Sequence, residues 1–114
     1  ADSIVNMPAN YSIPTNLPIQ SANGTNIAAN WADLLDGTIA NTLTSAGFGT
    51  WGSGAESADG SHIDGTTDDC NNWTSVSSSV GGMVGSATVT DSTWMALGSA
   101  GCHQALDLLC LAYP

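Results

Sequence analysis

The 114-residue sequence predicts an α+β domain of short antiparallel strands and long loops, with one helix near residues 26–36. Ile27, Trp31, Leu34 and Leu35 fall at i, i+4, i+7 and i+8, one stripe of a 3.6-residue period. Gly, Ser, Thr and Asn are abundant beside a hydrophobic content of 42%, the mixture of short strands punctuated by turns. Trp51, Trp73 and Trp94 are interleaved with Cys70, Cys102 and Cys110, and large indoles among cysteines mark a compact, loop-rich core. A chain of this length fits one domain with a modest core.

Residues 1–22 are polar and broken by Pro8, Pro14 and Pro18, which excludes a regular helix and predicts an extended arm. Ile4, Val5, Met7, Tyr11, Ile13, Leu17 and Ile19 are more apolar residues than a free tail needs, so the arm packs on its own domain, residues 23–114, or on a neighbour. The helix over 25–36 takes Thr25 or Asn26 as N-cap and stops at Asp36-Gly37. Residues 38–43 read as a short strand and 44–49 as a turn, and Trp51-Gly52-Ser53 begins a strand that soon gives way to loop. Residues 70–79 continue as strand or loop, 80–90 as a hairpin and 92–97 as another short strand. In residues 105–113, Leu106, Leu108 and Cys110 alternate with Leu109 and Leu111, so this strand is apolar on both faces and belongs at a sheet's centre. Trp31, Trp51, Trp73 and Trp94 are expected in the core, not as a platform for sugar rings.

Ten acidic residues and no Lys or Arg give a formal charge of -10. With no cationic side chain to neutralise phosphate or sulfate, DNA, RNA, heparin and anionic lipid are excluded as partners. The carboxylates are therefore solvated, hydrogen-bonded or held by metal cations. Residues 55–69 gather Glu56, Asp59, Asp64, Asp68 and Asp69 with His62. The leading reading is a solvated acidic loop; the alternative is calcium, which clustered oxygen ligands on a loop suit, with Asp59, Asp64, Asp68 and Asp69 as the candidate ligands. The run lacks EF-hand spacing, and His62 with Asp64 is a weak metal pair beside the reading of a surface histidine.

Three cysteines in a small acidic chain point to an oxidising compartment, with one disulfide and one cysteine left over. There is no C-x-x-C pair, and the apolar run at 108–113 is too short to cross a bilayer. A start at Ala1 reads as a mature or proteolysed piece of a secreted precursor. Cys102-His103 is a poor thiol-protease pair, because neighbours along a strand point to opposite faces and Cys102 is better used in a disulfide. Asn10-Tyr11-Ser12, Asn23-Gly24-Thr25 and Asn72-Trp73-Thr74 fit the glycosylation pattern, which so polar a composition yields by chance.

The ordered series Trp51-Gly52-Ser53, Cys70-Asn71-Asn72-Trp73-Thr74-Ser75, Gly82-Met83-Val84-Gly85, Trp94, Cys102 and Leu109-Cys110-Leu111 resembles one bacterial family. These are extracellular domains with a C-type-lectin-like, endostatin-like fold, including the leptospiral endostatin-like surface proteins. Asn30-Trp31-Ala32-Asp33-Leu34-Leu35-Asp36-Gly37 is similar to the family's helix and turn. The resemblance, with loop-closure entropy, implies a Cys70–Cys102 disulfide. It also implies a preceding segment, a strand and a cysteine-bearing helix, whose cysteine pairs with Cys110. That segment does not precede the motifs here, so the fold is expected to be incomplete by itself, with Cys110 linked to a separate chain, either an N-terminal fragment or an adjacent subunit. The calcium and sugar triplets of true C-type lectins are absent. The function implied is a non-enzymatic, secreted or cell-surface module for adhesion or recognition, with host or matrix proteins as partners and carbohydrate as a further ligand class. The alternative is a structural subunit of an extracellular filament or sheath joined through the arm, and a secreted hydrolase ranks third.

Overall fold

The computed structural model describes residues 3–46, 49–61 and 70–114, and within these the chain is a small α+β structure with antiparallel sheets and short helices. A 3-10 turn, Ile4–Asn6, leads directly into helix α1, Met7–Tyr11. This corrects the expectation of an extended arm. Pro8 sits in the first helical turn, where its missing N–H has no intrahelical acceptor to lose, and its fixed φ favours the helix. Ser12 ends the helix in the left-handed region at φ 56, and Ile13 N–H donates to Pro8 O. Ile13 is thereby turned into the core, against which Ile4, Met7 and Ile19 also pack.

Strands β1, Ile19–Gln20, and β2, Asn26–Ala28, pair antiparallel around a turn in which Gly24, at φ 88, supplies the left-handed residue. Helix α2 is confined to Trp31–Leu34, so the segment expected as a helix over 25–36 begins instead as strand β2. The N-cap decides its start: Asn30 Oδ1 accepts the Asp33 N–H at 2.9 Å, and Asp33 Oδ2 accepts the Ala29 N–H at 2.8 Å. Ile27 is buried from a strand, its carbonyl taking the Ala40 N–H at 2.9 Å, and its helical spacing to Trp31 is coincidental. Replacing Asn30 by alanine is expected to lower stability by about 1 kcal/mol, measurable by urea unfolding. Residues 38–43 form no strand. Ile39 and Leu43 still enter the core, held by single backbone bonds such as Ile39 N–H to Thr90 O.

The second sheet has the order β3-β4-β5, from Trp51–Gly52, Gly81–Gly85 and Gly98–Gly101. Trp51 pairs with Gly85, and Gly82 with Ala100. The hairpin expected within 80–90 is instead the single strand β4 and a following turn. Residues 92–97 begin with the 3-10 turn Ser92–Trp94, not a strand, because Asp91 Oδ1 caps Thr93 N–H and turns Trp94 inward. Trp94 stacks on Trp51 with ring centroids 5.7 Å apart, and the Trp51 indole N–H donates to Trp94 O at 2.8 Å. An added Cβ at Gly85 would overlap that carbonyl oxygen, so the stack requires glycine there.

Residues 105–113 are not a central strand. Their sheet contact among the described residues is one parallel bridge between Asp107 and Trp51, beyond which Leu108 is 77% exposed. A two-residue β3 offers too short an edge to order nine residues, and the alternation of apolar side chains finds no second sheet face to cover. Among the described residues, no helix is long and apolar enough to cross a membrane.

Candidate recognition cleft

The last segment lies apart from the core, and between the two runs an apolar cleft of about 770 Å³. Its lining includes Trp31 and Leu34 of α2, Met83 of β4, and Leu106 and Leu108 of the last segment. The volume is within the range of pockets that hold ligands or the anchoring side chains of partners.

Trp73 also lines this cleft, carried by helix α3, Cys70–Trp73. It is a single turn in which Cys70, Asn71 and Trp73 have φ of 53, 54 and 62, a left-handed geometry that is unfavourable for L-residues. Backbone bonds from Thr74 N–H and Ser75 N–H to Cys70 O close it, at 3.1 and 2.9 Å. The Cys70–Cys102 disulfide pins it beside β5, and Gly82 leaves room for the sulfur: a Cβ there would lie 2.7 Å from Cys70 Sγ. The pairing matches the one expected. Trp73 does not match its expectation. Trp31, Trp51 and Trp94 are buried, whereas Trp73 is 47% exposed, its ring lying on the bare backbone of Gly52 and Gly54. A Cβ at Gly54 would come within 2.7 Å of Trp73 Cζ2, so these glycines make the seat.

Asp107 is also among the residues lining the cleft. Its carbonyl accepts the Gly52 N–H at 3.2 Å and its carboxylate accepts the Gly49 N–H at 2.6 Å. It is the charged residue among the described residues lining the cleft, and the chain contains no Lys or Arg to pair with it. The seat of Trp73 and the place of Asp107 were both missed from sequence; the signal available was the glycine spacing at 52, 54 and 82.

Of the calcium candidates, Asp59 is described and Asp64, Asp68 and Asp69, with His62, lie outside the described residues. The Asp59 carboxylate turns back on its own loop, accepting Ser61 N–H at 2.8 Å. Hydrogen bonding from the Ser61 side chain, then from its backbone, holds the carboxyl below its ordinary value. Among the described residues, no three His, Cys, Asp or Glu are grouped to hold a metal ion. Cys102 is in the disulfide and has no thiol for His103 to activate. Cys110 is a free, exposed thiol, not one buried in a central strand. A disulfide is consistent with an oxidising, extracellular setting. Comparisons with family models, curated proteins and solved structures find no match to this chain.

Proposed function

We propose that the chain is a non-enzymatic, secreted or cell-surface recognition module of the C-type-lectin-like class, binding its partner through the cleft. The observation that carries this reading is the half-exposed Trp73, fixed by a disulfide and three glycines at an open apolar recess. A rigid aromatic beside a pocket is the usual anchor of a binding surface. Protein partners, such as host or matrix proteins, use such an anchor directly, and sugar rings stack on an exposed indole. The resemblance of the motif series to extracellular bacterial domains agrees with the same reading.

The test is binding of purified chain to immobilised matrix proteins and to glycan arrays. A specific ligand is expected, with Trp73→Ala weakening it about 30-fold or more, the loss typical of an anchoring aromatic, while the fold is kept. Absence of any ligand at tens of micromolar would sink the reading. The second reading, a filament or sheath subunit, is favoured by the exposed Leu108, Leu111 and free Cys110 along one segment. It requires a heavier species by size-exclusion chromatography and, on a non-reducing gel, a disulfide from Cys110 to another chain. Calcium at Asp59, Asp64, Asp68 and Asp69 belongs to the same proposal. Millimolar calcium is expected to raise the Tm relative to sodium at equal ionic strength, and an unchanged melting curve removes it.

A further inference from the structure

Beyond the partner reading and independently of it, we infer that the cleft binds a neutral, apolar small molecule carrying a hydrogen-bond acceptor, such as a ketone, ester or ether oxygen. The apolar body follows from the lining. Leu34, Met83, Met95, Leu106 and Leu108 face a space of about 770 Å³, within the range of small-molecule pockets. The acceptor follows from two indoles. Trp31 and Trp94 both line the cleft and are 8% and 2% exposed. The indole N–H of each is buried and, among the described residues, meets no acceptor. Trp51, the third indole of the core, differs in that its N–H is satisfied by Trp94 O. Native proteins leave few buried donors unpaired, because each one has lost its water without a replacement. A ligand oxygen that bonds either N–H removes that cost in the bound state alone, which adds directly to affinity. Neither nitrogen is open to solvent, so binding entails a shift of the lining; the last segment, tied to the sheet by one bridge between Trp51 and Asp107, is loosely held. Neutrality follows from charge. The chain has no Lys or Arg, and among the described residues the lining holds no histidine, so a carboxylate or phosphate would enter without a cation to pair with. Asp107 in the lining and the formal charge of -10 repel it further.

Matched probes separate these parts without changing the protein: benzophenone, diphenylmethane, which lacks the carbonyl oxygen, and 4-benzoylbenzoate, which adds a carboxylate. Titration of the unaltered 15N-labelled chain gives both the affinities and the indole N–H resonances. Benzophenone is expected to bind about five-fold tighter than diphenylmethane, the effect of one satisfied buried donor, and at least about ten-fold tighter than 4-benzoylbenzoate. The indole proton of Trp31 or Trp94 is expected to move downfield with benzophenone and not with diphenylmethane, which separates a hydrogen bond from the ring currents that both probes share. Irradiation of the benzophenone complex and peptide mapping should place the label on Met83, Met95 or Leu106. Equal affinity of diphenylmethane, with no indole proton moved by the ketone alone, overturns the acceptor and with it the inference. Equal affinity of 4-benzoylbenzoate overturns the selection of a neutral ligand. A label confined to Leu17 or Tyr113, which line a separate recess, places binding outside the cleft and overturns the inference as well. If none of the three binds up to its solubility limit, the inference is wrong, whereas the partner reading is decided separately by the matrix-protein and glycan measurements.

Discussion

Replacing Cys70 and Cys102 together by serine is expected to lower the unfolding free energy by about 3–4 kcal/mol, a large part of the stability of a domain this size. The cross-link joins residues separated by 32 positions, and closing a loop of that length removes this much conformational freedom from the unfolded chain. A local effect offsets part of this loss but changes the site. Helix α3 holds Cys70, Asn71 and Trp73 in left-handed geometry, which costs about 1–2 kcal/mol per residue and persists only where the surroundings impose it. Without the disulfide the turn is free to relax, and Trp73 leaves its seat on Gly52 and Gly54. Two measurements therefore move together in the double variant: the urea midpoint falls, and binding through the cleft weakens even where the chain remains folded. A stability loss below about 1 kcal/mol, or peptide mapping that joined Cys102 to Cys110 in the native chain, would overturn the account.

The composition made the α+β class legible, the tryptophans made most of the core legible because large indoles have few alternatives in a small domain, and the disulfide was implied by the resemblance of the motif series together with loop-closure entropy. Where the reading failed, capping and long-range contacts outweighed local pattern. A proline in a polar run reads as a breaker, yet Pro8, at the start of a helix, favours it. Ile27 shared the helical spacing of Trp31 and Leu34, but Asn30 capped the helix after it and Ala40 claimed its carbonyl. The alternation of Leu106 to Leu111 promised a central strand; strand formation needs a partner edge, and β3 gives it a single bridge. The cleft follows from that failure, since the apolar residues that a sheet would have used remain along an open recess. Trp73 could not be distinguished from its buried counterparts by residue type, and its exposure depends on a backbone turn that no periodicity records.

Trp51→Ala is expected to cost about 3–5 kcal/mol, the largest effect of a single substitution in this chain. The ring is 3% exposed and stacked on Trp94, which is 2% exposed, so truncation leaves a cavity at the centre of the core. It also removes the donor to Trp94 O, and an unpaired carbonyl in a buried position adds its own desolvation cost. The lesion reaches the sheet as well, because Trp51 is the residue through which β3 meets both Gly85 and Asp107. Trp51→Phe separates these contributions: it retains most of the stacked ring and loses the indole N–H, so its cost should be about 1–3 kcal/mol. Trp73→Ala provides the contrast, for a half-exposed ring buries less area and its loss should fall mainly on binding. Urea unfolding of the three variants, with near-ultraviolet circular dichroism to follow the Trp51–Trp94 pair, is expected to rank them Trp51→Ala, Trp51→Phe, Trp73→Ala in order of decreasing destabilisation. A Trp73→Ala variant as unstable as Trp51→Ala would place Trp73 in the core and remove the anchor from the cleft.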